Sequence, residues 1–145
     1  MRYPLFLELT DQPAVVVGAG PVATRKTRTL LAAGARVTVI APVATPAMRR
    51  LKKVCWVRRC YQSGDLRGAR IVIAATNDLA VNQQVCAESH RRRQLVNCAA
   101  PPAAGNFIVP ALVRQGEFSI AISTGGASPS KAKALREKLE RTLRP

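Results

Sequence analysis

At 145 residues the chain has room for one domain with a short extension, and 48% hydrophobic against 21% charged residues excludes a disordered chain. Against 8 acidic residues stand 23 lysines and arginines, a net charge of +15 that points to anionic partners, while 4% aromatic residues leave few stacking platforms for single-stranded nucleic acid. The 4 cysteines form no Cys-x-x-Cys pair and His90 stands alone, so no metal site is expected.

No cationic start followed by an apolar signal core opens the chain, and no apolar run reaches the roughly 18 residues of a membrane span; a reduced, cytoplasmic setting without membrane contact is expected. Ala14-Val15-Val16-Val17, bounded by Gln12-Pro13 and Gly18, predicts a strand buried on both faces. After Gly18-Ala19-Gly20, Pro21 suits a first helical position, Val22, Leu30 and Leu31 supply apolar contacts, and Gly34 offers a stop. Arg36-Val37-Thr38-Val39-Ile40 then alternates as a second strand, so the unit is βαβ.

A basic stretch from Ala44 to Lys53 predicts a helix leading to strands at Cys55-Trp56-Val57 and, past Leu66 to Gly68, at Ile71 to Ala75. Asn77 or Asp78 caps a helix that turns Val81, Val85 and Cys86 inward, and Leu95-Val96 resumes the sheet after Arg91-Arg92-Arg93. This alternation predicts the α/β class, a Rossmann-type doubly wound parallel sheet. From Phe107 the pattern changes: Phe107 to Pro110 and Phe118 to Ile122 flank a turn with Gly116, and Ser128-Pro129 opens a helix through Leu135, Leu139 and Leu143 that stops at Pro145. The expected organisation is a dinucleotide-binding domain over 1–106 and a hairpin-and-helix extension over 107–145.

Gly18-Ala19-Gly20-Pro21-Val22-Ala23 has the Gly-x-Gly-x-x-Gly/Ala form between strand and helix: the first glycine permits the turn, Gly20 admits a pyrophosphate, and Ala23 keeps helix and strand close. The carboxylate expected about 20 positions on, to hold a ribose, is absent. The second strand runs into Ala41, Pro42 and Val43, whose backbone is left to hold the adenosine, and the choice between NAD and NADP stays open with Arg49 and Arg50 nearby. Thr76 and Asn77, at the carboxyl edge of the fourth strand, either touch cofactor or cap the next helix. His90, beside three arginines, reads as part of a basic helix end rather than as a catalytic imidazole. Ser123-Thr124-Gly125-Gly126-Ala127-Ser128 joins hydroxyls to two glycines and makes an anion cradle.

Several blocks in order resemble one family, the precorrin-2 dehydrogenase and sirohydrochlorin ferrochelatase module at the N-terminus of siroheme synthases. They are Pro4-Leu5-Phe6-Leu7, Val17 to Ala23 with Arg25-Lys26, Gly34 to Pro42, Ala74 to Asp78, Val81-Asn82, Asn97, Phe107 to Pro110, Ser123 to Pro129 and Leu135 to Leu139. The resemblance implies NAD-dependent oxidation of precorrin-2 to sirohydrochlorin, in some members with iron insertion, by a homodimer acting on a tetrapyrrole polycarboxylate and not on nucleic acid. It places Asn97, Ala100, Asn106 and the loop of Thr124, Gly125, Gly126 and Ser128 along the tetrapyrrole cleft.

Two departures stand out. Where the family carries an aspartate, a few residues after Asn97, this chain has Ala100, and no carboxylate lies between Asn97 and Asn106. The base that would take a proton is missing, so the resemblance implies impaired turnover or, alternatively, a disabled module that binds NAD or tetrapyrrole as carrier or sensor. The family also continues beyond the last helix, which implies a more open cleft or completion by a further segment.

Overall fold

The computed structural model describes residues 2–143. The chain divides into two compact units, Leu7–Phe107 and Met1–Phe6 with Ile108–Pro145. This differs from the division expected from sequence at the N-terminus: the opening residues go with the hairpin, where the Arg2 guanidinium donates to the Gly125 carbonyl. The expected helix stop at Pro145 lies outside the described residues.

In the larger unit β1 (Pro13–Val17), β2 (Arg36–Ile40), β3 (Val54–Val57), β4 (Ile71–Ala74) and β5 (Leu95–Cys98) form one parallel sheet in the order β3-β2-β1-β4-β5. Strand order reverses between β1 and β4, which share a ladder from Ala14–Ile71 to Val17–Ala74. The continuous valine and isoleucine runs serve both faces, as central parallel strands must. Val16, Val39 and Ile73 join Ala23 and Leu30 of α1 (Pro21–Ala32) on one side, and Val17, Val72 and Val96 join Val85 and Cys86 of α3 (Leu79–Arg91) on the other. The doubly wound α/β class is therefore the observed one.

Between β2 and β3 the helix is shorter than expected. Only α2 (Pro46–Arg49) forms, capped by Thr45 accepting from the Met48 amide, and a turn ending at Lys53, φ +64°, leads into β3. The connection from β3 to β4 holds no helix; it is a series of turns anchored by fully buried Leu66.

The smaller unit pairs β6 (Ala111–Gln115) antiparallel with β7 (Phe118–Ile122), and α4 (Pro129–Thr142) packs on this hairpin. The first strand lies past Phe107–Pro110, not on it, because Gly116-Glu117 makes a two-residue turn: Gln115 opposes Phe118, and the register then places Ala111 opposite Ile122. Among the described residues no helix is long and apolar enough to cross a membrane.

Candidate dinucleotide and substrate site

The glycine turn follows directly from β1. Gly18 adopts φ +108°, and a Cβ added there would lie 2.3 Å from the Ala75 carbonyl oxygen, so the turn fits against the end of β4 only because the side chain is missing. This is the reversal point of the sheet, where open α/β folds place ligands. Gly20 differs: its φ is −77° and an added Cβ would meet nothing within 4 Å. That open face lies at the N-terminus of α1, which has no side-chain cap and no acidic residue in its first turn. The first-turn amides, including those of Val22 and Ala23, keep their capacity to hold an anion, and Pro21 at the first position has none to lose. The arrangement fits the pyrophosphate of a dinucleotide.

The turn is locked from both sides. Thr24, buried on α1, donates its hydroxyl to the Gly20 carbonyl at 2.8 Å and lies 3.2 Å from the Thr45 hydroxyl, while the Thr45 amide donates to the Ala19 carbonyl. The loop after β2 is thus latched to the glycine turn. Both backbone groups of Ala41 are committed, its amide to the Val57 carbonyl and its carbonyl to the Trp56 indole at 2.9 Å. Pro42 and Val43 remain as the exposed pair. Half-buried Lys26 sits one turn further along α1; burial, reinforced by neighbouring Arg25, pushes its ammonium below its ordinary pKa.

At the end of β4, Asp78 is the helix cap: one carboxylate oxygen accepts from the Ala80 and Val81 amides. Asn77 is exposed. Thr76 donates its amide to the Asn82 side-chain oxygen at 3.0 Å. At the end of β5, buried Asn97 donates to the Phe107 carbonyl at 2.9 Å, and its own oxygen has no partner among the described residues. Half-buried Ala100 presents its carbonyl to the Asn82 amide nitrogen at 3.0 Å and to the Cys98 thiol.

Asn106 plays a different part from the one expected of it. Its side-chain oxygen accepts from the Val96 amide at 2.8 Å and its nitrogen donates to the Gln94 carbonyl at 2.9 Å. The side chain acts as a substitute strand on the free edge of β5, which engages both polar atoms that a substrate would use. His90 is exposed, with Nε2 2.9 Å from the Ala104 carbonyl of a 3-10 turn, Pro102–Ala104.

Thr124, Gly125, Gly126 and Ser128 belong to the smaller unit, between β7 and α4. Gly125 and Gly126 adopt φ +69° and +96° in succession, a left-handed pair that favours glycine. The Thr124 hydroxyl accepts from the Ser128 amide at 2.9 Å, and the Ser128 hydroxyl accepts from the Lys131 amide as the cap of α4. Both hydroxyls therefore act first as local acceptors.

Sequence reasoning gave no role to Asn82, quoted only within a matching block, or to Glu88, and both are almost fully buried. Glu88 accepts from the Tyr61 hydroxyl, the Gly64 amide and the Arg92 guanidinium, pinning the helix-free crossover before β4. The available signal was the position of Asn82 next to Val81 and three residues before Val85, on the inward stripe of the helix.

Residues 5–111 match a family described as putative NAD(P)-binding, and residues 115–142 match one described as sirohaem biosynthesis protein, central. A siroheme synthase of Citrobacter koseri is 41% identical over 97% of this chain, which spans 31% of that protein's length. A precorrin-2 dehydrogenase of Bacillus subtilis is 32% identical, with 97% of this chain and 88% of the relative covered. The solved structure of SirC, a precorrin-2 dehydrogenase, superposes with a TM-score of 0.86 at 34% identity, over 99% of this chain and 72% of that one. With the glycine turn at the sheet reversal and relatives aligned over nearly the whole chain, the protein belongs to the precorrin-2 dehydrogenase family of NAD(P)-binding modules.

Proposed function

We propose that this chain binds NAD and the tetrapyrrole precorrin-2, and that it oxidises precorrin-2 to sirohydrochlorin at a rate limited by the missing carboxylate at Ala100. The observation that carries the reading is the open, carboxylate-free N-terminus of α1 at Gly20, set at the reversal point of a sheet shared with SirC. Gly18, Gly20, Pro21, Val22 and Ala23 hold the pyrophosphate, Pro42 and Val43 face the adenosine, and Thr76 and Asn77 border the nicotinamide half. NAD, when bound, supplies the hydride acceptor.

Loss of a hydride from the macrocycle must be matched by loss of a proton. Asn97 carries an unpaired but buried side-chain oxygen and is no base, and Asp78 is engaged as a cap. General base assistance is typically worth about 10²–10⁴ in rate, so its absence slows turnover without removing binding. Iron insertion needs pyrrole N–H groups deprotonated and is expected only with the base restored. The basic surface receives the substrate carboxylates, and the twin-glycine loop from Thr124 to Ser128, on the smaller unit, is by itself an anion cradle. Assembly as a homodimer in a reducing cytoplasm is part of the same reading, supported by free thiols at all four cysteines and by Phe118 standing 71% exposed on the hairpin.

Anaerobic NADH formation from precorrin-2 and NAD tests this, comparing the parent chain with Ala100→Asp and titrating NAD into both. Slow parental turnover, raised about 10²-fold or more by the carboxylate, is the expected result. The second reading, a disabled carrier or sensor, is favoured by Ala100 and predicts NAD and tetrapyrrole binding with no turnover in the parent chain. Failure of both to bind NAD would remove the dinucleotide assignment.

A further inference from the structure

The two strands that frame the proposed reaction site, β4 and β5, stop sharing backbone hydrogen bonds at one point: the Ala99 amide donates to the Ala74 carbonyl at 2.8 Å. Beyond it the chains separate, one into Thr76-Asn77-Asp78 and the other into Ala100-Pro101. Asn82, which is 0% exposed, reaches into that opening from the first turn of α3. Its oxygen lies 3.0 Å from the Thr76 amide and 2.8 Å from the Thr76 hydroxyl; its nitrogen lies 3.2 Å from the Thr76 carbonyl and 3.0 Å from the Ala100 carbonyl. The orientation of the amide is settled by chemistry, since the oxygen faces a backbone N–H and the nitrogen faces two carbonyls. Three of the side chain's four hydrogen-bonding positions meet backbone partners, and the fourth faces the Thr76 hydroxyl, whose one proton also lies within reach of the Asp78 carbonyl at 2.9 Å, in a site closed to water.

We propose that Asn82 is a positioning residue that couples the cofactor-side loop at Thr76 to the reacting loop at Ala100, so that a base at position 100 is effective only while Asn82 holds both. The physical reason is the lack of any substitute: no backbone bond joins the loops past Ala99, and the remaining donor to the Ala100 carbonyl is the Cys98 thiol, a weak one at 3.3 Å. An error of about 1 Å in a reacting group can cost about 10²-fold in rate, which gives a positioning residue leverage without contact to substrate. Asn82→Asp separates the two halves of the clamp. A carboxylate still accepts from the Thr76 amide, but it cannot donate and faces the Thr76 and Ala100 carbonyls with a like partial charge. Asn82→Ser keeps a smaller hydrogen-bonding group and serves where the aspartate variant fails to fold.

This rests on the dehydrogenase reading for its rate measurement alone. Amide hydrogen exchange and NAD titration on the full chain are read first. In Asn82→Asp, exchange from Ala99 to Asn106 is expected to rise at least tenfold while amides of β1 and β2 keep their protection, and NAD affinity is expected to stay within threefold. In the Ala100→Asp background, adding Asn82→Asp is expected to remove at least nine-tenths of the gain in kcat, with KM for NAD within threefold. Uniform acceleration of exchange across the sheet, unchanged exchange from Ala99 to Asn106, or a full Ala100→Asp gain in the absence of Asn82 would overturn the proposal. If Ala100→Asp confers no gain even with Asn82 present, the base assignment fails, and the exchange pattern with NAD affinity still decides whether Asn82 couples the loops.

Discussion

Two glycines two residues apart do different work in the same turn. Gly18 is needed for the fold: a side chain there meets the Ala75 carbonyl at 2.3 Å and a backbone at φ +108° that L-residues avoid. Gly18→Ala is therefore expected to lose at least about 2–3 kcal/mol in denaturant unfolding, and NAD binding with it. Gly20 is proposed to serve the ligand. With φ −77° and open space around its missing Cβ, Gly20→Ala is expected to hold stability within about 1 kcal/mol while NAD affinity, followed by titration, drops tenfold or more. The motif assigns the turn to the first glycine and close approach of ligand to the second, and the space around each missing Cβ gives that division its structural basis. Asn106 gives a similar case: Asn106→Ala removes two hydrogen bonds from the edge of β5, an expected loss of about 1–3 kcal/mol in the same unfolding experiment.

At the scale of elements, the β3-to-β4 crossover has no helix to satisfy its backbone, and side chains of α3 and of Gln94, just before β5, add to what its turns supply. Gln94 donates to the Leu66 and Ala69 carbonyls at 2.6 and 2.8 Å, and Glu88 accepts from Tyr61, Gly64 and Arg92. Burial pushes the Glu88 carboxyl up, but the Tyr61 hydroxyl, the Gly64 amide and the Arg92 guanidinium outweigh it and hold the group below its ordinary 4.5. A carboxyl with a depressed folded pKa stabilises the fold above 4.5, and that contribution is lost as pH falls through the lower folded value. Asp65, held down chiefly by its hydrogen bond from Arg59, acts in the same direction. Unfolding free energy is expected to be steady from pH 7 to about 5 and to fall below about 4.5. Glu88→Gln is expected to reduce stability at pH 7 by about 1–3 kcal/mol and to make the acid decline shallower, as chemical denaturation across pH would show.

For the molecule as a whole, a net charge of +15 sets the terms on which a polycarboxylate approaches. Tetrapyrrole association is expected to weaken steeply between low and physiological ionic strength, because exposed cations are screened over a Debye length of about 8–10 Å. NAD, for which the proposed seat is the backbone amides of α1, should respond less, and stopped-flow binding of both ligands against salt separates the two. The proposed dimer predicts that Phe118→Glu, which puts a charge on an apolar hairpin position 71% exposed, shifts sedimentation from dimer to monomer with the Leu7–Phe107 unit still folded.

The order of elements, the parallel sheet, the glycine turn and the cap at Ser128 could all be read along the chain, because each depends on neighbours within a few residues: valine runs, Pro21 after Gly20, serine before proline. The hairpin register could not be assigned from apolar content alone; the two-residue turn at Gly116 decided it. Asn82, Glu88, Gln94 and Asn106 became intelligible only in three dimensions. Each is a polar side chain that satisfies backbone 6 to 28 residues away, at places where strands separate or a crossover lacks a helix. Local composition determines which segments become strands and helices, whereas the partner of a buried polar atom depends on which loops the finished sheet brings side by side.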